Sequence, residues 1–479
     1  MTATVPEAPE APPIERRKPW LMPLLVRLHF FAGILVGPFI LIAAISGGLY
    51  AIAPQIERVV YADVLEVPAS ATSLTLAEQI EIAEGEIGDE ATLSAVRPAP
   101  VPGSTTRVMF TQEGLGPSES RAIFVDPGTG AVTGDLTVYG TSGALPVRTW
   151  ISQLHRHLLL DDPGRLYSEL AASWLGIVAA AGGALWIARF VRTRRRRDLL
   201  IPNRKHRGYR RLFGWHASIG IWVLVGALFL SATGITWSTY AGANVSDLRA
   251  ALSWTTPSVT TTLSGEAPEA DPHAGHGAAA SGSGAANPAP RAANPATFDG
   301  VLAIAQRENV DTGLVEIRPP VAEGEAWVVQ EIQRSFPTEV DAVAIDGRTM
   351  EVVDRVDFDD FPLAAKLSRW GIDIHMGSMF GLVNQIALLA LAAGIAAMIV
   401  LGYAMWWRRR PTRGFASPPR RGSVRAAPWW GIAAVAAVAV AVGLFLPLVG
   451  WTLVGFLALD VALSLIARRR ARESAVAGT

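Results

Sequence analysis

The chain has 479 residues, half of them hydrophobic, with 42 basic and 42 acidic side chains and a mean hydropathy of +0.30. So high an apolar fraction points to membrane spans, and a formal net charge of zero excludes a globally basic nucleic-acid binder. Cysteine is absent, which excludes disulfides, thiolate metal sites, iron–sulfur clusters and the covalent attachment of c-type haem.

A segment at 1–20 precedes an apolar run at 21–53, long enough to span a bilayer and about twice the length of a signal-peptide core, so it reads as a retained anchor. Residues 54–150 form the first large insert. There a helix-like "TLAEQIEIAEGEI" is followed by strand-like "TLSAVRPAP", "TRVMFTQ" and "RAIFVDPGTGAVTGDL", the last a hairpin by its turn residues. An interfacial helix and second span occupy 151–191, a basic loop 192–212 and a third span 213–239. The second insert, 240–372, contains a low-complexity linker at 264–296 and then repeats the same plan: "TFDGVLAIAQREN", "LVEIRPP", "AWVVQEIQ" and "VDAVAIDGRTMEVVDRV". A fourth span at 373–407 and a basic loop at 408–427 follow. The apolar block 428–467 is too long for one helix, and "FLPLVGW" near its middle reads as a turn between two short spans. A tail, 468–479, closes a chain of six predicted spans.

Arginines gather at 194–197, 408–410 and 468–470, each directly after an apolar segment. Basic residues mark the cytoplasmic side, so both termini and the basic loops are expected inside and both inserts outside. That is the topology of a multi-pass protein of a bacterial inner membrane. The arginine clusters are topology signals first and lipid-binding sites second.

The spans repeat as well. "LHFFAGILVGPFILIAAISGG" carries His29 and, 18 positions on, Gly47; "WHASIGIWVLVGALFLSATG" carries His216 and, 18 positions on, Gly234. Spans two and four align without a gap, matching Trp186 with Trp406, Gly182 with Gly402 and His155 with His375, while His157 falls on Gly377. The fold expected is therefore α-helical and membrane-embedded, built on a duplicated unit of span, extracytoplasmic α+β domain and span.

"RLHFFAG…ISGGLYA", "QLHRHLLLDDPGRLY", "LFGWHASIGIW…SATGITW" and "IDIHMGSMFG" together resemble the PepSY-associated transmembrane family, also described as PiuB-like iron-regulated membrane proteins. The resemblance covers roughly residues 20–410 and leaves the final hairpin outside. It implies two PepSY-like extracytoplasmic domains and an inner-membrane haem protein that reduces ferric siderophores.

His29 and His216 lie near the cytoplasmic starts of spans one and three, His155 and His375 near the outer starts of spans two and four. The two layers are separated by about the hydrocarbon thickness, ~30 Å, whereas metal–imidazole bonds are about 2 Å long. One half of the chain therefore cannot supply both ligands of one metal, and the pairs must cross the halves: His29 with His216, His155 with His375. Two axial histidines on facing helices suit a b-type haem in a helical bundle, giving two haem b per chain. Eighteen residues are five helical turns, so Gly47 and Gly234 lie on the histidine-bearing faces about 27 Å further along. There they are expected to leave room for the outer porphyrin. His157 points to a different helical face from His155 and reads as a propionate neighbour or surface residue, and as the fallback ligand. His273 and His276 sit in a flexible linker without preorganised metal geometry, His206 reads as a loop residue, and Asp460 as the partner of Arg468.

The leading expectation is a di-haem electron conduit reducing an iron(III)–siderophore complex outside. "GTGAVTG" lies in a hairpin with the wrong spacing for a dinucleotide fingerprint, and the inner loops are too short for a flavin domain. Electrons must then come from a separate cytoplasmic reductase or from quinol. Two alternatives stand beside it: a PepSY-type sensor or peptidase-binding protein anchored by its spans, and a metal or siderophore transporter with parallel repeats. The first leaves four register-matched histidines unexplained, and the second lacks helix breaks and acidic pathway residues.

Overall fold

The computed structural model describes residues 20–88, 90–193, 196–263, 293–409 and 427–476. The first apolar run is two helices, α1 (Leu21–Leu35) and α2 (Gly37–Val60), bent at Val36. The cause is Pro38, which has no N–H to give to the carbonyl of Ile34. The Tyr403 hydroxyl donates to that carbonyl instead, at 2.5 Å. A single turn, α3 (Ala62–Leu65), leads to α4 (Leu76–Ile87), which begins with a reciprocal capping box between Thr75 and Glu78.

Strands β1 (Ala91–Arg97), β2 (Thr106–Gln112), β3 (Glu119–Val125) and β4 (Val132–Tyr139) form an antiparallel meander. Then come α5 (Pro146–His157), the long α6 (Asp161–Arg192), a turn α7 (Arg197–Leu200) and α8 (Gly208–Ile235). The second insert has α9 (Tyr240–Ala251), α10 (Ala296–Arg307) and strands β5 (Val315–Arg318), β6 (Trp327–Glu331), β7 (Ala342–Asp346) and β8 (Glu351–Val356). Helices α11 (Leu363–His375) and α12 (Gly381–Arg409) follow, and α13 (Trp429–Phe445) and α14 (Pro447–Val476) make a closing hairpin.

The two extracytoplasmic domains expected from sequence are one body. Strands β1 and β5 pair antiparallel through Val96 and Ile317, giving an eight-stranded sheet in the order β4-β3-β2-β1-β5-β6-β7-β8. Strand alternation turns Val96, Val108, Phe110 and Ile123 toward α4, and Ile317, Val329, Val343 and Ile345 toward α10, in one shared core. The helices are tied across the halves too: the Asp299 carboxylate of α10 accepts from the N–H groups of Leu76 and Ala77, at 2.9 and 3.0 Å, so it caps α4. Ala95, Met109, Ala122 and Phe124 make a second core on the opposite face, against Tyr61, Val64 and Leu65.

Among the described residues, four helices are long and apolar enough to cross a membrane: α2, α6, α8 and α12. The protein is thus a multi-pass membrane protein. In the bundle α2 packs on α12, α12 on α8, α8 on α6, and α6 on α1 and α2, around Ala32, Ile40, Ala171, Trp174, Ala227 and Ile395. The expected turn in the last apolar block falls at Leu446. Of its two arms, α13 has 17 residues, about 25 Å of helix, short of a ~30 Å hydrocarbon layer. His155 and His375 are not on the spans themselves but on α5 and α11, short helices that precede them.

Candidate functional site

The structure brings His29 of α1 and His216 of α8 together, with ring centroids 6.2 Å apart and planes at 76°. Each ring is oriented by a main-chain carbonyl: Nδ1 of His29 lies 3.0 Å from the oxygen of Val178, and Nδ1 of His216 lies 3.1 Å from that of Met398. A carbonyl only accepts, so each Nδ1 carries the proton and each Nε2 keeps its lone pair. Both carbonyls sit one helical turn before a glycine, Gly182 or Gly402. A Cβ at Gly182 would lie 2.9 Å from Cε1 of His29; one at Gly402 would lie 4.0 Å from Cε1 of His216. At Gly182 the lack of a side chain is what lets the imidazole reach the helix backbone.

On the sheet side, His155 and His375 both line one cavity of about 900 Å³ between the bundle and the sheet. Their Nδ1 atoms meet hydroxyls, Ser46 Oγ at 2.9 Å and Thr233 Oγ1 at 2.6 Å. Each hydroxyl has one hydrogen, and each donates it to the carbonyl four residues back, Ile42 for Ser46 and Phe229 for Thr233, at 2.8 Å in both cases. The hydroxyls therefore accept from the rings, and again Nε2 is left with its lone pair. Trp237 stands edge-on to His375, with centroids 5.3 Å apart at 88°.

Gly47 and Gly234 both line this cavity and also pack on the outer rings. The space beside Gly47 is filled by an imidazole: a Cβ there would meet Cε1 of His155 at 2.9 Å. Gly234 faces Ala172 at 3.3 Å and His375 at 4.0 Å. Within each half every histidine thus packs against a glycine of the companion span. His29 faces Gly182, His155 faces Gly47, His216 faces Gly402 and His375 faces Gly234.

His157 does not line the cavity, and its Nδ1 is buried without a hydrogen-bond partner. His206 is a loop residue whose N–H donates to Asn203 at 3.2 Å. Asp460 lies 3.8 Å from Arg27 of α1, so one partner is on another helix; the side chain of Arg468 lies outside the described residues. His273 and His276 also lie outside them.

Sequence reasoning missed the polar roof of the cavity. Arg156 donates to the Tyr139 hydroxyl at 2.6 Å, and Arg334 donates to Thr141 Oγ1 at 2.9 Å. Arg334 and Arg369 share the fully buried carboxylate of Asp373, at 3.6 and 2.8 Å. Burial, with Arg369 beside it, pushes the Arg334 guanidinium down to about 10. Only the hydroxyl residue directly before each outer glycine, Ser46 and Thr233, was visible as a shared sequence signal. The arginines have no counterparts between the halves: His155 is followed by Arg156, His375 by Met376.

A third cluster has a structural explanation. Carboxylate oxygens of Glu331, Glu339 and Asp341 lie within 4.8 Å of one another, but Glu331 already accepts from the N–H groups of Asp311, Thr312 and Asp341 and so clamps a loop.

A family model described as the PepSY-associated TM region matches residues 26–409. The chain belongs to this family. The match starts just before His29 and ends at the close of α12, so it contains all four paired histidines and their glycines and excludes the α13–α14 hairpin. No curated protein matches the sequence.

Proposed function

We propose that this PepSY-associated membrane protein is a di-haem transmembrane electron-transfer protein that reduces an extracytoplasmic iron(III) complex, with a ferric siderophore as the substrate class implied by the family resemblance. The observation that carries the reading is the His29–His216 pair. With iron–nitrogen bonds of about 2 Å and each ring centroid about 1.1 Å behind its nitrogen, one iron between two imidazoles separates the centroids by about 6 Å. The pair stands at 6.2 Å, with both Nδ1 protons already committed to carbonyls. Metal-bound histidines are oriented in this way, by an acceptor on the other ring nitrogen.

A b-type haem bound at each pair would supply one-electron redox chemistry. The chain's own residues do the rest. His29 and His216 provide the inner ligands, and His155 and His375, through Nε2, the outer ones. Ser46 and Thr233 hold the outer rings in one tautomer, and Gly47 and Gly182 admit the His155 and His29 rings to the helix surfaces. The cavity of about 900 Å³ is within the size of sites for large organic ligands, about 300–1,000 Å³.

The same reading includes a duplicated span–domain–span unit and six spans, with α13 and α14 as a short closing pair. It places both termini and the basic loops in the cytoplasm and the sheet outside a bacterial inner membrane. Electrons come from a cytoplasmic reductase or from quinol. The test is the haem content and visible spectrum of the detergent-purified protein, expected to show two haems per chain, both low-spin. A preparation with no haem after reconstitution would sink the proposal, and saturation at one equivalent would remove one site.

A further inference from the structure

The outer cavity has more positive charge at its junction with the sheet than its own carboxylates neutralise. Arg156, on α5 beside His155, makes one hydrogen bond, to a neutral phenol. Its Nε is buried without a partner, and among the described residues no carboxylate lies within ion-pair distance of it. From the other half comes Arg334, whose only acid among the described residues is Asp373, and that carboxylate also serves Arg369. Two guanidinium groups on one carboxylate leave one positive charge over, and Arg156 adds a second. The two are held by neighbouring points of one segment, Arg156 by Tyr139 and Arg334 by Thr141, and Arg156, Arg334 and Arg369 all line the cavity. The acids that also line it are engaged elsewhere. Glu316 pairs with Arg97 at 2.6 Å, Glu325 accepts from Val321 and Ala322, and Glu331 clamps its loop.

A half-buried guanidinium whose Nε is buried and which has no counter-ion is costly to keep, and the planar fork of arginine matches a carboxylate with two parallel hydrogen bonds. We infer that Arg156 and Arg334, backed by Arg369, form a carboxylate-recognition site over the outer histidine pair. This rests on the proposed function for the identity of what sits below. The carboxylate has two available sources: the propionate groups of a haem on His155 and His375, or a carboxylate-bearing, anionic iron(III) chelate in the cavity above it.

Arg156→Gln and Arg334→Gln in the full-length purified protein separate the sources. Both variants keep a hydrogen-bonding amide, and Arg156→Gln leaves the Asp373 network intact, so one variant survives if the other misfolds. Two quantities are read: the midpoint potentials of the haems, and the affinity for ferric citrate measured calorimetrically on oxidised protein. With propionates as the ligand, removing the positive charge favours the ferric state. The outer potential then falls while the inner one stays in place. With a substrate carboxylate as the ligand, ferric citrate binds about tenfold or more weakly and both potentials stay. A cationic ferric trihydroxamate should lose nothing in either variant. The inference is overturned if both variants keep both potentials and bind ferric citrate within about twofold of the parent protein. If the parent protein holds no haem, the proposed function fails on its own, and the citrate measurement alone decides the carboxylate site.

Discussion

Replacing Gly182 by alanine should weaken the binding of the proposed inner haem, while the same change at Gly402 should not. The added methyl at 182 would stand 2.9 Å from Cε1 and 3.3 Å from Nδ1 of His29. Ordinary carbon–carbon contact is about 3.5–4.0 Å, so the ring must retreat by about 0.6–1.1 Å. That retreat stretches the bond to Val178, now 3.0 Å, beyond hydrogen-bonding range. Overpacking of this kind costs about 1–3 kcal/mol, which is roughly fivefold to over a hundredfold in haem affinity, at tenfold per 1.4 kcal/mol. At 402 the methyl would lie 4.0 Å from Cε1 of His216, an ordinary contact. The change at 402 should not lower fold stability, because its methyl meets no clash and alanine is the better helix former by up to about 1 kcal/mol. Titrating haem into apoprotein and following the low-spin signal measures the difference directly. Equal affinities in the two variants, or the greater loss at 402, would refute the packing argument.

His155→Ala should leave high-spin character at the outer site or empty it, with the inner spectrum intact and reduction of an external iron(III) complex lost. His157→Ala should be milder, and the reverse order would mean that α5 presents its other face. Ser46→Ala and Thr233→Val each leave a ring N–H without its acceptor, a cost of about 1–3 kcal/mol. The ligand also becomes less basic, so the outer potential should rise in a redox titration; a fall, or movement of the inner potential, contradicts the tautomer assignment. Reporter fusions after Glu113 and Glu339 should read as external and one after residue 410 as cytoplasmic; an external signal at 410 would invert the membrane orientation and the electron direction with it.

The pairing of His29 with His216 was legible because it follows from lengths alone: two layers a membrane apart, one histidine per layer per half. The strand runs were legible as well, since alternation in segments such as "TRVMFTQ" and the "DPGTG" turn are local signals. What local signals do not carry is which edges meet. Nothing in "TLSAVRPAP" or "LVEIRPP" says that Val96 will pair with Ile317, so the inserts read as two domains where the structure has one sheet. The glycines were legible as small residues on the correct face, but not their neighbours. Gly47 lines the outer cavity, but no local signal shows that it also admits an imidazole from α5. The arginine roof was out of reach for a different reason: Arg156 and Arg334 come from distant parts of the chain and meet on the Tyr139–Thr141 segment, and neither has a repeat partner to draw attention to it.

The seam between β1 and β5 bears on how such a molecule can be divided. Either half alone would hold one histidine per layer and expose an unpaired strand edge, which invites association with another edge. Its shortest route to a complete pair is a second half, placed by a twofold axis that runs through the strand seam and between the two inner rings. On the proposed function the axis would pass through both haem irons as well, making each site the property of an interface. On the proposed duplication, fusing two such halves into one chain fixes their ratio at one to one. It also frees the two sides of each site to diverge, and the arginines lie on the positions where the halves differ.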